Sequence, residues 1–129
     1  MKGSKGKHTI CIHEGEIFDE QFGGAISPIY LSSSYPFIDQ EEKRYPRYFN
    51  TPNQEVIAKK IAALEHAEAA LPFASGMAAI STTLWAYLRP GDVLLYSRPI
   101  YGGTDHLVNF VLPGFEITPI AFASCSAVI

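Results

Sequence analysis

Cysteine is nearly absent from the 129-residue chain, which holds two, Cys11 and Cys125. Neither sits in a paired motif, so the sequence contains neither a disulfide framework nor a zinc site, and idle thiols in a reducing, cytoplasmic setting are expected. His8 and His13 lack a third donor at regular spacing, so no metal site is expected either. No apolar run reaches the ~20 residues of a membrane span, and the basic opening Met1 to Lys7 lacks a following signal-type core and reads as a frayed terminus. Neither G-x-G-x-x-G nor a Walker sequence occurs, which speaks against a nucleotide-binding α/β domain. Net charge is small as well: 10 Lys and Arg stand against 13 Asp and Glu, for a formal charge of −3. Such a chain attracts neither nucleic acid nor an anionic membrane surface, so small molecules or proteins are the expected partners.

Hydrophobic residues, at 47%, are plentiful enough for one core. From His8 to Phe37 no helical period persists, and Gly23-Gly24, Pro28, Ser32-Ser33-Ser34 and Pro36 predict an irregular arm that needs another surface, in a second subunit, to lie on. Residues 1–50 are accordingly read as an N-terminal arm and inter-subunit segment, and 51–129 as the core-forming part. Asp39 to Arg44 reads as a solvated charged face. Thr51, Pro52 and Gln54 predict a helix start with a capping box and proline at the first helical position, followed by an apolar stripe of Ile57, Ile61 and Leu64 that ends near His66 or Ala67. Ala69 to Ala74 is predicted as a short buried strand, with Pro72 placing it at an edge or strand end. Met77 to Leu88 reads as a second helix, apolar nearly all round and buried on most faces. Val93 to Tyr96 is an apolar run suited to a parallel sheet covered on both faces. A helix capped by Thr104 or Asp105, ended by Pro113-Gly114, and a strand from Phe115 to Ile120 follow. The alternation of helix and strand predicts an α/β fold with right-handed crossovers and a parallel sheet.

Three places carry candidate chemistry. At Ser75-Gly76-Met77 an extended stretch meets a helix start, which serves either as a plain N-cap or as an anion cradle of backbone N–H groups, phosphate being the usual occupant. Tyr101, beside Gly102-Gly103, lies at the carboxyl end of a strand, where α/β sheets collect ligands; it is either a loop aromatic on the core or a face for a flat ligand. Tyr45 and Arg47 flank Pro46, project the same way as alternate residues of an extended segment, and form either a phosphate-holding pair or an exposed aromatic-basic patch. Together they describe a site for a phosphorylated flat ring. The uncharged finish, Ala121 to Ile129, has no turn or cap, and the chain is expected to be the front part of a larger fold.

In this order and spacing, Ile12-His13-Glu14-Gly15, Gly24-Ala25-Ile26-Ser27-Pro28-Ile29-Tyr30, Tyr45-Pro46-Arg47-Tyr48-Phe49-Asn50, Ala62-Ala63-Leu64-Glu65, Ser75-Gly76-Met77-Ala78-Ala79-Ile80, Pro90-Gly91-Asp92 and Tyr101-Gly102-Gly103-Thr104 resemble the Cys/Met metabolism family of pyridoxal-phosphate enzymes. This is the transsulfuration group of cystathionine synthases, cystathionine lyases and methionine γ-lyases. The resemblance, from about Thr9 to about Ile120, implies the start of an aspartate-aminotransferase-like (fold type I) large domain in residues 51–129. It implies pyridoxal 5'-phosphate as cofactor and β/γ-elimination or γ-replacement on a sulfur-containing amino acid. It also implies a homo-oligomer, usually a tetramer, with each site shared across a dimer. Residue by residue, Ser75, Gly76 and Met77 match the loop that binds the cofactor phosphate. Tyr101 matches the catalytic tyrosine stacked on the pyridine ring, and Tyr45 and Arg47 match the pair reaching the neighbouring subunit's phosphate. Two departures stand out: Thr51-Pro52-Asn53 replaces the usual Asn-Pro-Thr, and Gly103 replaces the cysteine of methionine γ-lyases, a lean toward a cystathionine-type enzyme. The family's aspartate under the pyridine nitrogen and its cofactor-binding lysine are expected beyond this sequence. The chain alone is therefore expected to be inactive, or to act as a non-catalytic associate of intact subunits.

Overall fold

The computed structural model describes residues 6–123 and divides into two units, Met1–Pro72 and Phe73–Ile129. Cys125 and the uncharged finish from Ser124 onward lie outside the described residues, as do the first five residues of the basic opening.

The first unit is built on two helices, α1 (Lys7–His13) and α2 (Pro52–Leu64), which pack on each other. Helix α1 corrects the expectation of an arm irregular from His8. It has only seven residues and buries only Ile10, so its stripe is too short to show a period. Helix α2 starts as predicted: the Gln54 side-chain oxygen accepts from the Thr51 N–H at 3.1 Å and from its hydroxyl at 2.8 Å, with Pro52 in the first turn. It stops at Leu64, two residues before the expected end, and His66 follows in a left-handed conformation at φ 54°.

Between the helices the chain is irregular, as expected, but it is pinned at several points to its own α2. The Glu16 carboxylate accepts from the Ser27 N–H at 2.8 Å and hydroxyl at 2.6 Å and pairs with Lys60 of α2. Asn53 exchanges two hydrogen bonds with the Tyr30 backbone, at 3.0 and 2.7 Å, as a neighbouring strand would. Gly15, at φ 75°, crosses so close to α2 that a Cβ there would stand 2.8 Å from the Val56 carbonyl oxygen. Phe18, Phe22, Ile29 and Leu31 face solvent in the single chain.

Residues 69–74, which span the junction of the two units, form no strand and none of them is buried, contrary to expectation. Pro72 has no N–H to give a ladder, and the two described strands, both in the second unit, pair with each other. Helix α3 (Gly76–Tyr87) follows, and none of its residues is buried, although buried faces were predicted. Its apolar composition exceeds what this length of chain can cover: Leu84 alone of its side chains joins the central cluster, and Trp85 meets Phe115 edge to face at 4.7 Å between centroids. Arg89 closes the helix by donating to the carbonyls of Trp85, Ala86 and Leu88.

Strand β1 (Val93–Arg98) runs parallel to β2 (Thr118–Ala123), with Val93 opposite Thr118 and Arg98 opposite Ala123. Two bonds set this register from below, Gly91 N–H to the Glu116 carbonyl at 2.8 Å and Thr118 N–H to the Asp92 carbonyl at 2.9 Å. The connection is helical: α4 (Gly102–His106), a π-helical turn through Val111, and a tight turn over Leu112–Phe115. Helix α4 thus begins before Thr104, with Tyr101 at the cap position, because neither the Thr104 nor the Asp105 side chain caps it. The second strand starts three residues later than predicted, since Phe115 closes the preceding turn and Glu116 turns left-handed. Val108, Leu112 and Ile117 make the core, with Leu84, Leu88, Leu94 and Tyr96 against it. Only one face of β1 is therefore covered, and Val93 and Leu95 are exposed, where cover on both was expected. The α/β class and the parallel pairing hold. Among the described residues no helix is long and apolar enough to cross a membrane.

Candidate functional site

Within the second unit, Ser75, Gly76, Met77, Ile80 and Tyr101 line one concavity of about 380 Å³. The corner that opens α3 and the loop that opens α4 are therefore brought together. Ser75 is extended, at φ −156° and ψ 157°, and its hydroxyl accepts the Ala78 N–H at 3.1 Å. The Ala79 N–H goes to the Ser75 carbonyl at 3.1 Å. Two of the first-turn donors are thus used, and those of Gly76 and Met77 remain without an intrahelical acceptor, at the positive end of the helix dipole. A Cβ at Gly76 would meet nothing within 4 Å, so the approach to these N–H groups is open. Met77 meets the first turn of α4, its sulfur accepting from the Thr104 hydroxyl at 3.6 Å.

Tyr101 presents a largely exposed ring, 72% accessible, at the rim of the concavity. The ring lies folded over Gly103, where a Cβ would stand 2.8 Å from Tyr101 Cε1 and 3.3 Å from the Met77 sulfur. Glycine at 103 is therefore what permits this ring position beside Met77.

In the first unit, Tyr45 and Arg47 also converge, though not as alternate residues of an extended segment. Pro46–Tyr48 forms a 3-10 turn, and within it Arg47 Nη1 donates to Tyr45 Oη at 3.2 Å, its guanidinium 5.9 Å from the Tyr45 ring centroid. Both side chains are exposed. The turn is held by residues that sequence reasoning passed over. The Asn50 side chain accepts from the Tyr45 N–H at 2.9 Å and donates to the Lys43 carbonyl at 2.8 Å. Arg44 donates to the Asn50 carbonyl and to Glu55 of α2, and Glu55 raises the guanidinium pKa, holding it charged. Arg44 looked like part of a solvated charge run, and its partner eleven residues on carries no local signal. Glu16 likewise escaped notice, yet the Lys60 ammonium and the Ser27 donors hold its carboxyl at about 2, well below the ordinary range.

Comparison with known proteins matches residues 8–127 to the Cys/Met metabolism family of PLP-dependent enzymes. The chain is 38% identical to the L-methionine γ-lyase of Fusobacterium nucleatum subsp. nucleatum over 128 residues, which is 91% of this chain and 32% of that protein. It is 37% identical to the cystathionine γ-synthase of Escherichia coli over 104 residues, 78% of this chain and 27% of that one. Among solved structures, cystathionine γ-lyase from Lactobacillus plantarum, complexed with L-serine, superposes with a TM-score of 0.82 at 34% identity, covering 92% of this chain and 31% of that one. The chain spans about a third of the length of the curated relatives it matches.

Proposed function

Because the chain belongs to the Cys/Met metabolism family of pyridoxal-phosphate-dependent enzymes, we propose that it corresponds to the N-terminal portion of a transsulfuration-type enzyme and that the α3–α4 concavity receives pyridoxal 5'-phosphate. The observation that carries this reading is the meeting of the open Ser75-Gly76-Met77 corner with the Tyr101 ring in one concavity. The donor set fits the group. A phosphate is matched by two unengaged N–H groups at a helix start, and a flat heteroaromatic ring by an exposed aromatic face. When bound, the cofactor supplies a ring that accepts the electron pair released when a bond at the substrate's α-carbon breaks.

This chain's residues then have distinct tasks. The Gly76 and Met77 N–H groups and the Ser75 hydroxyl hold the phosphate, and Tyr101 covers one ring face and moves a proton through its Oη. Tyr45 and Arg47, paired and exposed, are offered to the phosphate of a neighbouring subunit in a homo-oligomer. Residues 1–50 act as the inter-subunit arm and 51–129 as the first part of the large domain, in a cytoplasmic setting. The whole protein's reaction is β/γ-elimination or γ-replacement on a sulfur-containing amino acid. Of the six lysines only Lys7 has a serine three residues before it, and it precedes the Ser75-Gly76-Met77 corner in the chain whereas the family's lysine is expected after it, so the 129-residue chain alone holds cofactor without turnover.

Equilibrium dialysis against pyridoxal 5'-phosphate tests the reading. Saturable binding is expected, competed by inorganic phosphate and weakened in Tyr101→Ala. Binding that never saturates, or a chain that turns over L-methionine or cystathionine unaided, overturns it. A second reading is favoured by the preformed Tyr45–Arg47 pair: a non-catalytic chain that joins intact family subunits and lends them that pair. Co-purification with a full-length relative, lost in the Tyr45→Phe/Arg47→Ala double variant, distinguishes it.

A further inference from the structure

Four side chains outside the concavity form a closed network around the loop that carries Tyr101. Arg98, the last residue of β1, donates from Nη2 to Asp105 Oδ1 in α4 at 3.1 Å. The same carboxylate oxygen accepts from Asn109 Nδ2 at 3.0 Å, and that amide also donates to the Asp105 carbonyl at 2.9 Å. Asn109 Oδ1 in turn accepts from Tyr96 Oη at 2.9 Å. The ring closes back on β1, because the Arg98 guanidinium lies 5.6 Å from the centroid of Tyr96. Tyr96 itself packs against the Val108–Leu112–Ile117 core. The brace therefore ties both ends of the 99–101 loop, the tip of β1 and the first turn of α4, to the best-packed part of the unit. Tyr101 is the last residue of that loop and the cap of α4, and its carbonyl accepts the Asp105 N–H at 2.9 Å.

We propose that Tyr96, Arg98, Asp105 and Asn109 are positioning residues that fix Tyr101 over the concavity beside Ser75 and Gly76, with the Asp105 carboxylate as hub. The proposal rests on the reading of Tyr101 as the residue that faces the cofactor. A three-residue connection between a strand and a helix, left to its own backbone, still samples several arrangements of its side chains. Fastening its two ends to each other removes most of them before any ligand arrives, and a preorganised face binds a ring more tightly than a mobile one. The members are not equal. Arg98 and Asp105 are 51% and 38% exposed in their side chains, so their ion pair alone is weak. The half-buried Tyr96–Asn109–Asp105 hydrogen bonds carry more of the restraint.

The test uses the 129-residue chain and the variants Arg98→Ala, Asp105→Ala, Asp105→Asn and Asn109→Ala. Amide exchange is followed for residues 100–103 and, as control, for 117–118, alongside equilibrium dialysis of pyridoxal 5'-phosphate. Asp105→Ala and Asn109→Ala are expected to speed exchange at 100–103 about fivefold and weaken cofactor binding by a similar factor, as befits one or two part-buried hydrogen bonds. Arg98→Ala is expected to change both about twofold. Residues 117–118 should exchange at the wild-type rate throughout, and Asp105→Asn, which keeps an acceptor oxygen, should return both readouts close to wild type. Unchanged exchange at 100–103 in Asp105→Ala overturns the proposal, and so does acceleration of 117–118 in step, which marks a merely structural bond. If the wild-type chain binds no cofactor, the reading of the concavity fails, and the exchange response still decides separately whether the brace orders the Tyr101 loop.

Discussion

Ser75 is asked to do two jobs, and one pair of substitutions separates them. As an N-cap, its hydroxyl accepts the Ala78 N–H at 3.1 Å. Replacement by alanine removes that bond at an exposed corner, so a loss of about 1 kcal/mol in unfolding free energy is expected. As a phosphate ligand, the same hydroxyl faces the concavity it shares with Gly76 and Met77. Aspartate is as good a cap as serine and favours the helix dipole, so Ser75→Asp should keep the stability that Ser75→Ala loses. A carboxylate there would, however, stand about 4 Å from a bound phosphate dianion. At that distance each charge pair costs about 1 kcal/mol even in water, which for two charges amounts to about 2 kcal/mol, or roughly 30-fold in binding. Urea unfolding followed through Trp85 measures the first effect, and equilibrium dialysis of pyridoxal 5'-phosphate at low salt the second. The expected pattern is crossed: alanine weakens the fold by about 1 kcal/mol and binding only several-fold, whereas aspartate spares the fold and weakens binding roughly 30-fold. Wild-type affinity in Ser75→Asp would refute the assignment of this corner to phosphate, whatever alanine does.

Gly103→Ala is expected to force the Tyr101 ring aside, since its Cβ would stand 2.8 Å from Cε1; because that ring is exposed, stability should move by no more than about 0.5 kcal/mol while cofactor affinity falls, as dialysis and urea unfolding will show. Leu112→Ala, at a fully buried side chain, should destabilise the second unit by about 3 kcal/mol in urea unfolding. The Glu16 carboxyl, held at about 2 against an ordinary 4.5, contributes stability that is fully present above pH 4.5 and lost as pH falls toward 2. Exchange at the Ser27 and Ile17 amides should therefore rise, beyond its intrinsic pH dependence, between pH 4.5 and 2 in the native chain but not in Glu16→Gln.

What the sequence revealed and what it hid divide along a physical line. Thr51, Pro52 and Gln54 announce α2 because a helix start is a local event, decided within one turn. Ser75 is legible for the same reason. The parallel pairing of β1 with β2 could be read from the alternation of elements, as chain reversal through a helix leaves little else. The strand expected over residues 69–74 failed because strand identity depends on a partner, and composition alone does not supply one. Helix α1 failed in the opposite direction, its seven residues being too few to display a stripe.

The candidate site repeats this division more sharply. Its central members, Ser75, Gly76, Met77 and Tyr101, sit at element boundaries, where a conformational requirement or an exposed side chain betrays them. Their supports do not. Arg44 finds Glu55 eleven residues on and Lys60 finds Glu16 forty-four residues back, and no window of sequence contains either pair. Position 53 carries the point furthest: read as a departure from the usual Asn-Pro-Thr, Asn53 uses both ends of its amide on the Tyr30 backbone. Threonine at that position has one hydroxyl in place of the amide and is too short to reproduce the two-bond bridge. Asn53→Thr should accordingly release Tyr30 to exchange while leaving the α2 cap intact, because Thr51 and Gln54 make that cap without it.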